Sequence, residues 1–192
     1  MKAQIFIVEY DEFYFEVIKE VLESISLTFY PNSKEDFCQF RALLGRGFSG
    51  NDSIKKESMD KILQILNNNT DKETTFLVTC CLGENQEPTL EGLTFYEMFI
   101  KDCGGKTIII SSTILSEEIK TIENFCEKKL NCLLFRKSKN SLQKRLGKFL
   151  MEVRSDISNS ESAGKLLNVG RRAERFRFDY DGNIGKSQSY PC

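Results

Sequence analysis

The chain has 192 residues, 40% hydrophobic and 29% charged, enough for one globular core with length to spare, and 15 Phe against 3 Pro exclude a disordered or collagen-like bulk. The absence of histidine removes every Ser/His/Asp or Cys/His triad, every imidazole base and most catalytic zinc sites. With 27 basic and 28 acidic side chains the net charge is -1, so no whole-molecule field attracts nucleic acid or an anionic membrane.

The first predicted element is a short apolar strand over Ala3 to Val8, of a length and β-branched content suited to burial on both faces. An acidic cluster, Glu9, Tyr10, Asp11 and Glu12, leads into an amphipathic helix whose apolar positions are Phe13, Tyr14, Val17, Ile18, Val21 and Leu22. Leu27 to Tyr30 predicts a second strand, and Ser33 caps a helix carrying Phe37, Phe40, Leu43 and Leu44. Gly45, Gly47 and Gly50 interrupt that helix. The spelling of residues 45 to 50 is G-x-G-x-x-G, but it follows a helix instead of a first strand, so it reads as an inserted flexible loop and not as a dinucleotide cradle.

A helix is predicted over Lys56 to Leu66, with Met59, Ile62, Leu63 and Leu66 on one face, and strands over Thr75 to Cys81 and Thr107 to Ser111. Between those strands, Leu93, Tyr96, Met98, Phe99 and Ile100 mark a helix stopped by Gly104 and Gly105. Gly104-Gly105-Lys106-Thr107 precedes a strand and lacks the first glycine of a P-loop, so phosphate cradling is rejected. Ser116 opens a helix with Ile119, Ile122, Phe125 and Cys126. Cys132 to Phe135 is a fifth strand, and Leu142, Leu146, Phe149, Leu150 and Val153 form a last apolar stripe. Strands alternating with helices in this way predict an α/β fold, a doubly wound parallel sheet of five strands, (βα)5, with an insertion after the second strand.

The seven cysteines, Cys38, Cys80, Cys81, Cys103, Cys126, Cys132 and Cys192, contain no C-x-x-C pair. With no secretory signal pattern and no apolar run of membrane-spanning length, they read as reduced thiols of a cytoplasmic protein, with no metal site and no cofactor. Cys80 and Cys81 point to opposite faces of their strand and read as core packing. Two parts are expected: residues 1–153 as the α/β domain, and 154–192 as a polar linker with a basic, aromatic C-terminal tail. In that tail Lys165, Arg171, Arg172, Arg175 and Arg177 oppose Glu174 alone, with Phe176, Phe178 and Tyr180 interleaved. Docking on a partner protein is the functional reading of the tail. Nucleic acid is disfavoured, and some 40 residues are too few for a winged-helix output domain.

Four segments in order resemble the receiver domain of response regulators. They are Ile5-Phe6-Ile7-Val8-Glu9-Tyr10-Asp11-Glu12, Phe76 to Leu82 followed by Glu91-Gly92-Leu93, the pair Ser111-Ser112, and Leu134-Phe135-Arg136-Lys137-Ser138. The resemblance implies the chemotaxis-type, flavodoxin-like sheet with strand order 2-1-3-4-5 and a C-terminal extension. It also implies a phosphorylation pocket at Glu9, Tyr10, Asp11, Thr79, Ser111 and Lys137, and this pocket departs from the family. Thr79 stands at the phosphoacceptor aspartate, and a hydroxyl with no evident neighbour to take its proton is no substitute for a carboxylate. Tyr10 stands where the directly coordinating acid belongs and reads as a roof over the vacated pocket, which leaves Glu9 as one acid of three for Mg²⁺. A register shifted by one brings Asp11 into play, but no shift creates an acid in Thr79-Cys80-Cys81.

The expectation is therefore a non-catalytic pseudo-receiver, an adaptor in signalling that is not an enzyme. Its partner, or a second copy in a homodimer, would contact the face running from about Ser116 to Val153, with Lys139, Gln143, Lys144, Arg145, Lys148 and Glu152 outward, together with the tail residues Arg171, Arg172, Arg175, Phe176 and Arg177. A small-ligand or nucleotide sensor at the carboxyl edge of the sheet is the alternative, and a phosphorylatable regulator is third.

Overall fold

The computed structural model describes residues 2–82, 90–111, 116–129, 131–136 and 145–151. Strand β1 (Ile5–Val8) is buried at every position, as its unbroken apolar run requires. Asp11 caps helix α1 (Glu12–Ser24) by accepting the Tyr14 N–H. Strand β2 (Phe29–Tyr30) follows, and then helix α2 (Lys34–Ser49) starts at Ser33, whose hydroxyl accepts the Asp36 N–H. Helix α3 (Asp52–Asn69) is capped by Asn51 in the same way.

Strand β3 (Thr75–Thr79) leads to a short helix α4 (Glu91–Phe95), which continues without a break as a π-helical turn, Tyr96–Ile100. Strand β4 (Thr107–Ser111), helix α5 (Ser116–Glu127) and strand β5 (Cys132–Arg136) follow, and residues 145–151 are helical, α6. The five strands are parallel in the order β2-β1-β3-β4-β5. This is the flavodoxin-like α/β arrangement, with α3 as an extra helix after β2.

The pleat divides the core between two faces. Phe6, Val8, Phe76, Val78 and Ile109 pack with Phe40 and Leu44 of α2, Ile62 and Leu66 of α3, Phe95 of α4, and Ile122 and Cys126 of α5. On the strand β5 side, Phe135 meets Phe149 of α6 with ring centroids 5.4 Å apart, and a Cβ at Gly147 of α6 would reach van der Waals contact with Val21 of α1. Six phenylalanines, Phe6, Phe15, Phe37, Phe40, Phe76 and Phe95, are fully buried. Each such burial is worth roughly 2–3 kcal/mol, so these rings are a large share of the apolar contribution to the fold.

Several expectations are corrected. Residues 45 to 49 are helical, so Gly45 and Gly47 do not interrupt α2 and stand in no loop, while the helix does stop at Gly50, its C-cap. A Cβ on Gly45 would stand 3.3 Å from the Tyr10 hydroxyl and one on Gly47 3.2 Å from the Met59 side chain, so these glycines admit neighbours that larger residues would push away. Phe13 is 71% exposed, because the buried face of α1 runs through Phe15, Ile18, Val21 and Leu22. Leu63 and Met98 are likewise exposed, and β3 ends at Thr79, two residues before Cys81. Among the described residues no helix is long and apolar enough to cross a membrane. The linker and tail, Lys139, Leu142, Gln143, Lys144, Glu152 and Val153 lie outside the described residues.

Candidate functional site

In-register pairing of Val8 with Val78 puts the next residues, Glu9 and Thr79, side by side where β1 and β3 end. The Thr79 hydroxyl donates to Glu9 Oε2 at 2.5 Å. Glu9 Oε1 accepts the Tyr10 N–H at 2.9 Å and the Asp11 N–H at 3.0 Å. Glu9 is 2% exposed and Thr79 5%, and a carboxylate taken that far from water is tolerated only when its lone pairs are filled in this way. The sequence leaves Thr79 without a neighbour to take its proton; the structure corrects this by placing Glu9 against it. The Thr79 hydroxyl is nevertheless enclosed, with no opening among the described residues by which a second reactant would reach it.

Tyr10 turns toward α2. The Arg41 guanidinium sits 4.8 Å from the ring centroid, and Gly45, one helical turn further on, makes room for the phenol. Arg41 and Gly45 are the partners that the sequence reading missed, and their i, i+4 spacing on a common helix face was the available signal. Asp11 is exposed, and its side chain is engaged in capping, with Oδ1 accepting the Tyr14 N–H at 3.1 Å.

Ser111 ends β4 in a buried position, one residue beyond Ile110, the cross-strand partner of Thr79. Lys137 lies outside the described residues. Glu9 and Thr79 thus meet at the carboxyl edge of the sheet, where Ser111 ends the neighbouring strand, with Tyr10 and Asp11 beside Glu9 but directed into other contacts.

The far wall of the site is the start of α4. Gly92 donates its N–H to the Cys80 carbonyl at 2.9 Å, and Glu91 Oε2 accepts the Leu82 N–H at 3.0 Å. A Cβ at Gly92 would stand 2.1 Å from the Thr79 carbonyl oxygen, so only glycine allows the helix to approach the strand end this closely. Cys80 is buried in the core and Cys81 packs partly buried against it. A separate groove of about 450 Å³, bordered by Leu93, Glu97, Phe125 and Lys129, contains none of the edge residues Glu9, Thr79 or Ser111. Among the described residues no group of three or more Cys, Asp or Glu is disposed to hold a metal ion. Of the outward residues expected on the last helix, Arg145 is half-buried and Lys148 exposed, while Leu146, Phe149 and Leu150 face inward. Comparison with known proteins finds no matching family model, no matching curated protein and no matching solved structure.

Proposed function

We propose that the chain is a degenerate receiver-like module that acts in signalling as a protein-interaction adaptor, without aspartate phosphorylation and without a catalytic role. The observation that carries this reading is the hydrogen bond between Thr79 and Glu9. At the position where the resemblance calls for a phosphoacceptor carboxylate there is a hydroxyl, and it occupies an oxygen of the one acid that would help to hold Mg²⁺. The second oxygen of that acid is taken by two backbone N–H groups. A divalent ion would have to compete with these donors for the carboxylate.

With no acyl phosphate to shift a two-state equilibrium, such a module presents a single surface continuously or is switched by a partner that binds one state better. The helical face that includes Lys148 and the basic tail are the surfaces assigned to that partner. Incubation with acetyl phosphate and Mg²⁺ tests the reading. No hydroxylamine-labile phosphoryl group is expected by mass spectrometry, and its appearance would overturn the proposal.

A further inference from the structure

Cys126 lies in the last turn of α5 and Cys132 opens β5, and both are buried. Their sulfurs are 3.6 Å apart and hydrogen-bonded. Two successive turns hold them there: the Lys129 N–H donates to the Cys126 carbonyl at 3.2 Å, and the Cys132 N–H donates to the Lys129 carbonyl at 3.4 Å. The link between the two cysteines is therefore short and folded back on itself, so side-chain rotation with a small backbone adjustment brings the sulfurs to bonding distance. A second observation points to the same spot. Thr107 on β4 is the cross-strand partner of Cys132, so the two side chains share a sheet face, and the buried Thr107 hydroxyl has no hydrogen-bond partner among the described residues. An orphaned donor beside a thiol is costly in the resting state and useful once that sulfur carries negative charge.

We propose that Cys126 and Cys132 form a redox modification site that a low-molecular-weight disulfide, such as oxidised glutathione, converts to an intramolecular disulfide. One thiolate attacks a glutathione sulfur and releases one glutathione thiol. The second protein thiolate then attacks the mixed disulfide and releases the other. Two electrons pass from the protein sulfurs to the glutathione disulfide, and the two protons end on the released thiols. The Thr107 hydroxyl donates to the Cys132 sulfur while it is charged. In the resting protein the hydrogen bond from Cys132, followed by burial, holds the Cys126 thiol well above the ordinary thiol range, which keeps the pair reduced until the end of α5 opens. The product fastens the end of α5 to β5 around Lys129, whose ammonium pairs with Glu97 at 2.6 Å over the Tyr96 and Phe125 rings.

The full chain is incubated with oxidised glutathione until modification of the exposed Cys38 reaches a plateau, then alkylated, digested and mapped by mass spectrometry. Cys126 and Cys132 are expected to lose alkylation together and to appear as one linked peptide pair that dithiothreitol separates. Cys132→Ser should abolish that pair. Free, alkylated Cys126 and Cys132 at the Cys38 plateau would overturn the proposal, as would linkage of either residue to a different cysteine. In Thr107→Val the rate of linkage should fall about fivefold, and an unchanged rate would overturn the role given to the hydroxyl.

Discussion

Removing the Thr79 hydroxyl takes one donor from the Glu9 carboxylate inside the protein. Thr79→Val is therefore expected to lower stability by about 1–3 kcal/mol, the usual result of breaking a hydrogen bond to a buried charged group. Thr79→Ser keeps the donor and loses one methyl group, so its loss should stay near 1 kcal/mol. Urea unfolding of the two variants separates these outcomes, and equal losses would show that Thr79 contributes packing and not a hydrogen bond. The resemblance to receivers led to Glu9, Thr79 and Ser111, and the structure places all three at the ends of neighbouring strands. The hydrogen bond between Glu9 and Thr79 was not legible in the sequence, because it depends on β1 and β3 lying side by side in register, and 70 residues separate the two partners in the chain.

At the scale of elements, the docking of α4 on β3 depends on a single missing side chain. A methyl group at Gly92 meets the Thr79 backbone oxygen at 2.1 Å, and backbone cannot rotate away as a side chain can. Gly92→Ala should cost more than about 3 kcal/mol or prevent folding. Gly104 has a positive φ of 78° and open space around it, so Gly104→Ala should cost only about 1 kcal/mol from backbone strain. Comparable melting temperatures for the two variants would mean that α4 can withdraw from the strand. On α6, Lys148 is exposed, and Lys148→Glu should change stability by less than about 0.5 kcal/mol in urea unfolding. Any larger loss would place that lysine in the fold instead of on a free face. The bounds of β4, the end of β1 and the start of α5 followed from apolar run length and periodicity, while β1 begins two residues later than its apolar run suggested. The glycines of α2 misled because glycine is a weak helix former, and its propensity cost of about 1 kcal/mol was outweighed by packing against Tyr10 and Met59, contacts that no local window contains.

For the whole molecule, the lack of histidine leaves no side chain of ordinary pKa to titrate between about pH 5 and 8. On the acid side, Lys34 beside Glu12 and Lys61 beside Glu57 hold those carboxyls below their usual 4.5. That contribution is present above 4.5 and fades as the pH falls through the lowered values, though exposure and salt keep it small. On the alkaline side, burial raises the Cys103 thiol above its usual 9.0, and the Cys126 thiol is raised more strongly by its bond to Cys132. Stability from these thiols is present below 9.0 and is lost as the pH climbs toward their folded values. A reduced sample should therefore keep a constant urea midpoint from about pH 5 to about 8.5 and lose stability on either side, and a steep change near pH 6.5 would contradict this.

By itself the sequence determined the number and type of the strands, the burial of β1 on both faces, the alternation with helices and the exclusion of imidazole chemistry, because run length, period and composition are local properties. Its resemblance to receivers also led to the strand order. Only the tertiary structure decided which polar groups meet: that Glu9 is closed off by Thr79, that Tyr10 is taken up by Arg41 and Gly45, and that two cysteine sulfurs come within hydrogen-bonding distance beside an orphaned threonine hydroxyl. Those encounters are set by strand register and by which helix covers which face. Register and layering are chosen by burial summed over the entire core and not by any segment alone.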